Sequence, residues 1–211
     1  MTPITHHIPD DVLKSYADGQ LPHAFSVVVA AHLSLCDECR ATAEARDVLA
    51  GVVMEELEGA DLTANARDRM LQALDTLPPP APSPRGDRTY PAPVVEAMGG
   101  RPPRWRSLGA GIRQQVLSAD ETGSLRLLFI PPGKAVPEHG HGGMELTLVL
   151  QGAFSDAEGA FGRGDVETAY ADLEHQPVAE PGEPCICLAA TDAPLRFLSL
   201  VPRLLQPMFR I

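Results

Sequence analysis

The chain has 211 residues, 44% of them hydrophobic and 21% charged, and a formal net charge of -11. That length suits one large domain or two small ones, and no apolar run approaches the roughly 18 to 20 residues that a membrane span needs. Thirteen acids face five bases over residues 1–77, two face five over 78–107, and thirteen face seven over 108–211, so direct nucleic-acid binding, which needs clustered Lys and Arg, is disfavoured.

The acidic N-terminal region suits a basic protein partner instead. The first residues show no basic stretch followed by an apolar core and a small-residue cleavage site, which sets a cytoplasmic expectation. In that compartment four cysteines in two close pairs read as metal ligands or reduced thiols before they read as a disulfide framework.

Residues 8–77 read as helical. Asp10 or Asp11 can cap a first helix that ends near Gly19. The stretch His23 to Cys36 is rich in Ala, Val and Leu without an internal breaker, Ala41 to Leu57 continues in that style, and Gly59 ends the run. A last helix over Thr63 to Leu77 places Ala66, Met70, Leu74 and Leu77 at helical spacing. A core stripe is the plainer expectation for it, and a docking face the alternative.

From Pro78 to Pro103 the prolines (Pro78, Pro79, Pro80, Pro82, Pro84, Pro91, Pro93, Pro102, Pro103) resist helix and sheet, so the segment reads as an extended linker. Beyond Trp105 come short β-type runs at Leu125 to Ile130, Leu146 to Leu150, Cys185 to Leu188 and Leu195 to Val201, the pattern of a small barrel or jelly roll. The expected fold is α+β in two domains: an all-α domain over 1–77, a linker over 78–104 and an all-β domain over 105–211.

Each part carries a set of metal-ligand residue types. In the first, His32, Cys36 and Cys39 stand at i, i+4 and i+7, one face of a helix where its end meets a turn. A tetrahedral ion needs a fourth ligand, and His6 and His7 are the imidazoles nearby. Thiolates mixed with imidazoles suit a closed zinc site, whose binding free energy would add to the folding of a small domain. In the second, His139, His141, Glu145 and Gly152 follow Gly133 as G-x5-H-x-H-x3-E-x6-G. On a strand, His139 and His141 face one interior. Further on, Gly164 and His175 keep their separation in a pattern where Tyr170, Asp172 and Ala179 replace a proline, a glycine and an asparagine. Three imidazoles and a carboxylate can hold Zn, Mn, Fe or Ni.

Those residues carry two resemblances. An N-terminal His followed by H-x3-C-x2-C in an acidic helical region resembles the zinc-binding domain of bacterial anti-sigma factors, and its spacing favours His7 over His6 as the partner of His32, Cys36 and Cys39. The run through His139, His141 and Glu145 matches the first cupin motif, and Gly164 with His175 a degraded second one. In this order, with a proline-rich linker between, the chain resembles the ChrR-type zinc-binding anti-sigma factors. The resemblance implies a helical domain that sequesters an extracytoplasmic-function sigma factor, and a cupin barrel needed for its release under singlet oxygen or related oxidative stress. It also favours zinc in both sites.

Two other readings stand beside it. A cupin-class metal enzyme, a dioxygenase or isomerase with an N-terminal zinc regulatory domain, would need an acid or base near its metal, for which Glu138, Tyr170 and Glu174 are candidates. A thiol redox sensor acting through Cys36 and Cys39 is the third. Cys185 and Cys187, two apart on a strand, are expected as small buried side chains, with a redox or ligand role as the alternative.

Overall fold

The computed structural model describes residues 3–78 and 85–194, and the backbone alone of 196–197. Helices α1 (Asp10–Ala17), α2 (His23–Leu33), α3 (Asp37–Glu55), α4 (Ala66–Thr76) and α5 (Ala92–Ala97) come first. Strands follow as β1 (Arg106–Gly109), β2 (Ile112–Asp120), β3 (Gly123–Ile130), β4 (His139–Gly140), β5 (Glu145–Gln151), β6 (Ala153–Ser155), β7 (Ala160–Gly162), β8 (Val166–Ala169), β9 (Glu174–His175), β10 (Val178–Ala179), β11 (Cys185–Thr191) and β12 (Arg196–Phe197). The last expected strand, Leu195 to Val201, falls mostly outside the described residues, as do Pro79, Pro80, Pro82 and Pro84. No helix among the described residues is long and apolar enough to cross a membrane.

Asp10 and Asp11 do not cap α1. Pro9 holds the N-cap position with φ -56°, and both acids lie in the first turn, where their charge complements the exposed amides. Pro22 and Pro91 occupy the same position before α2 and α5, at φ -56° and -57°. Proline suits a helix entrance because its φ is already set and the missing N–H would be unsatisfied there in any case. For that reason α5 interrupts the segment expected to be extended, and it seats a fully buried Val94 against the core.

The strands pair in three sheets: six strands in the order β1-β2-β3-β11-β5-β8, three as β10-β6-β7 and three as β12-β4-β9. All pairings are antiparallel, and among the described residues they do not close into a barrel. Strand β11 lies between β3 and β5 and is buried at every position. Both of its faces are covered, which removes the usual polar alternation. Ile186, Leu188 and Ala190 look into one core, and Cys185 and Cys187 into the other.

The first core is shared between helices and sheet. Phe25 and Val28 of α2, with Val12 and Leu13 of α1, join Leu125, Leu127, Leu146, Leu148 and Leu188 in one apolar cluster. Helix α2 touches α1, α3 and α5 as well as β3, β5 and β11, so it is apolar almost all round. Helix α4 differs. None of its residues is buried, and Met70, Leu74 and Leu77 are 68%, 65% and 63% exposed. The core stripe expected there is therefore overturned: among the described residues α4 has no layer to pack against.

Candidate metal centres

Ligand atoms of His7, His32, Cys36 and Cys39 all lie within 4.8 Å of one another. The cysteines and His32 do not share one continuous helix. Helix α2 ends at Leu33, Cys36 is the extended N-cap residue of α3 at φ -110° and ψ 110°, and Cys39 stands in the first turn of α3. The four residues meet at the α2–α3 corner because the chain bends there. His7 reaches in from the N-terminal arm: its Nδ1 is 3.4 Å from the Cys36 Sγ and 3.5 Å from the Cys39 Sγ. Its Nε2 faces Glu38 at 3.5 Å. His6, the other candidate, instead lays its ring on Phe161 at 4.4 Å between centroids.

The electrostatics of this corner fit a cation. His32 donates its Nδ1 hydrogen to the Gly164 carbonyl at 2.9 Å, which leaves its Nε2 buried and without a hydrogen-bond partner among the described residues. Burial lowers the His32 pKa to about 4 and raises that of Cys39 to about 11. An imidazole kept neutral beside the Cys39 thiol, which burial holds protonated, is part of a donor set that a divalent ion would complete. The raised Cys39 pKa also weighs against a fast-reacting thiol sensor.

In the second set His139 and His175 stand on paired strands, and His141 follows directly after the end of β4. His139 on β4 is directly opposite His175 on β9. The Nε2 of His175 lies 3.1 Å from the Nε2 of His141 and 3.2 Å from that of His139. His139 donates from Nδ1 to the Pro137 carbonyl at 2.8 Å, which directs its Nε2 inward. Three buried imidazole nitrogens converge on one point, where lone pairs would repel unless a proton or a metal ion lies between them. Glu145 is adjacent but is not grouped with the three nitrogens: Oε1 accepts from the Thr147 hydroxyl at 3.0 Å, and Oε2 is 3.8 Å from the His141 Nδ1.

Two carboxylates behind this set carried no spacing signal. His175 Nδ1 meets Asp156 Oδ2 at 2.7 Å and Glu167 Oε1 at 3.0 Å. Burial alone would lower His175, but its bonds to Glu167 and Asp156 outweigh that and raise it to about 9. Burial pushes Glu167 up to about 7, whereas for Asp156 the effect of burial is outweighed by hydrogen bonds from Glu167 and His175, which hold it below its ordinary value. Carboxylates behind a histidine fix its tautomer and orientation for a metal. Sequence spacing could not reveal them, since Asp156 sits in a β6–β7 connection and Glu167 on β8, and only the fold brings both to His175.

The remaining candidates lie elsewhere. Glu138, Tyr170 and Glu174 are exposed; strand alternation that buries His175 turns Glu174 outward. Cys185 and Cys187 are buried in the second core with their sulfurs 3.5 Å apart, as expected for small core side chains.

The family of the ChrR Cupin-like domain matches residues 101–194. Over 99% of both chains, the protein is 54% identical to the anti-sigma-E factor ChrR of Cereibacter sphaeroides. It is also similar to a solved structure of Rhodobacter sphaeroides SigE in complex with the anti-sigma ChrR, at a TM-score of 0.78 and 50% identity, covering 90% of this chain and 100% of that one. Likeness on this scale spans both ligand sets and everything between them, and by it the chain belongs to the ChrR family of anti-sigma factors.

Proposed function

We propose that this chain is a cytoplasmic regulator that sequesters an extracytoplasmic-function sigma factor. The observation that carries the proposal is an uncovered apolar surface on an acidic helical region. Val48, Val52 and Met54 on α3 are 69%, 50% and 68% exposed, and Leu74 on α4 is 65% exposed. A monomer rarely leaves contiguous apolar helix faces in water unless a partner covers them. Acidic side chains around those faces would steer a basic partner and suppress wrong ones.

In this reading residues 1–77 form the sigma-binding part, 78–104 the connection and 105–211 the sensing part. His7, His32, Cys36 and Cys39 hold a structural zinc ion, while His139, His141 and His175, with Glu145 as fourth ligand, hold the cupin metal, which we take as zinc. A bound ion would join the arm, α2 and α3 at the first site and offer a polarisable centre at the second. Release under singlet oxygen or a related oxidant would start at the imidazoles of the second set, and it requires a bound state whose sigma affinity differs from the resting one.

Purified sigma factor and full-length chain test this directly. The wild-type chain forms a stable complex and represses sigma-dependent transcription in vitro, whereas Val52→Asp combined with Leu74→Asp weakens binding by more than about 100-fold while shifting stability by less than about 0.5 kcal/mol. A wild-type chain that leaves transcription unchanged rejects the proposal. His141→Ala or Glu145→Ala is expected to keep the complex but block its release by oxidant.

A further inference from the structure

The thiolate-containing site is not built by the helical region alone. Both of its histidines lean on the turn between β7 and β8, which belongs to the cupin part. The amides of Thr5 and His6 donate to Asp165 Oδ1 at 2.7 and 2.9 Å, and the Val166 amide donates to the His6 carbonyl at 3.1 Å. The other oxygen of Asp165 accepts from the Gly162 amide at 2.8 Å, so one carboxylate locks its own turn and the arm together. Ile4 fills the space above Gly164, which has φ +97° and where a Cβ would stand 2.6 Å from the Ile4 Cδ1. His7, the next residue along the arm, is thereby delivered to Cys36 and Cys39. The second histidine, His32, is oriented by the Gly164 carbonyl itself.

The same short stretch of backbone reaches the other ligand set. Val166 holds the arm and its neighbour Glu167 holds His175. A cleft of about 380 Å³ runs along this junction, lined among others by His7 and Glu167.

We infer that the β7–β8 turn, through Gly164 and Asp165, is a positioning part of the thiolate metal site and couples that site to the cupin histidines. A shift of His175 on gaining or losing its ion moves Glu167, and Val166 with Asp165 carries the movement to the arm that bears His7. Reciprocity follows: emptying one site changes the affinity of the other by the same factor in both directions. The inference rests on reading the two residue sets as metal sites. It goes beyond that reading by making the first site depend on residues more than 120 positions away in the chain.

The full-length chain loaded with Co2+ tests it. Thiolate-to-cobalt absorption reports the Cys36 and Cys39 site, provided the band is absent from the Cys36→Ser, Cys39→Ser chain. Loss of this band to excess EDTA then gives the release rate. Asp165→Ala, which leaves every proposed ligand in place, is expected to speed release by roughly 10- to 100-fold, the range found when outer partners of metal-bound histidines are removed. Ile4→Ala changes no residue of the cupin part, removes only the packing on Gly164 and is expected to speed release several-fold, so it decides the matter if Asp165→Ala fails to fold. Glu167→Gln is expected to speed release from the thiolate site without touching it. Rates within about twofold of wild type in Ile4→Ala and any folded Asp165→Ala chain overturn the positioning role, and an unchanged rate in Glu167→Gln overturns the coupling. A wild-type chain with no thiolate band at all would instead sink the metal reading beneath it, and sigma binding measured in parallel tests the proposed function separately.

Discussion

The two ligand sets are built by opposite means. The cupin histidines stand on strands whose pairing brings them together: His139 faces His175 across one ladder, and buried carboxylates fix His175 from behind. The thiolate set gathers an arm, the end of α2 and the start of α3, pieces that meet only at a corner. A scaffold that exists without its ion can change metal state and stay folded. The corner, whose arm is tied to Asp165 and whose His32 is tied to Gly164, is expected to lean more on a bound ion, since its ligands come from three separate pieces of chain. The difference teaches that the roles proposed for the two sets can be tested by what holds each set's ligands in place before any metal arrives.

The largest expected effect bears on this contrast. Cys36→Ser with Cys39→Ser should remove the clip and cost the helical region several kcal/mol, up to the order of the ~10 kcal/mol that structural zinc contributes in small peptides. His139→Ala should cost far less, since β4 remains paired on both sides. Thermal unfolding of the two variants checks the difference, and equal losses of Tm would break the comparison.

A second test uses pH on the metal-free chain. His32 has a folded pKa of about 4 against 6.5 for the free side chain, so between those values the unfolded state binds more protons and stability rises with pH. Lowering pH from 6.5 to 4 is expected to cost about 3 kcal/mol at this residue. His175 runs the other way. Its folded pKa is raised to about 9, so its contribution is full below about 6.5 and is lost as pH rises through 9. Denaturant titration of His32→Gln and His175→Gln, each against the parent chain, separates the two slopes.

The smallest effect sharpens the account of the cupin set. Asp156→Asn or Glu167→Gln should weaken metal binding there by 10- to 100-fold, about 1.4 to 2.7 kcal/mol, through the orientation of His175. Competition with a chromogenic chelator measures it, and an unchanged affinity in both variants would show that the strands alone suffice.

Much of this was legible in the sequence because ligand chemistry is local. Cys36 with Cys39 and His139 with His141 lie only two or three residues apart, and residue type and spacing there already limit what an ion can meet. The linker was half legible: proline opposes regular structure inside an element, but Pro91 at an entrance promotes α5. Spacing could not place α4, because its apolar periodicity is the same whether a stripe meets the protein's own core or a partner.

The sequence by itself determined the residue types and spacing of the two candidate ligand sets, the order of helical and β-rich parts, and the acidic character of the first. Only the tertiary structure decided that α2 shares its core with the sheet, that α3 and α4 leave apolar faces uncovered, and that Asp156 and Glu167 stand behind His175. It alone decided that Gly164 and Asp165 support the distant His7 and His32. The physical reason is range: side-chain spacing speaks for contacts within a few residues, while hydrogen bonds such as His32 to Gly164 join groups that only the packing of helix on sheet brings together.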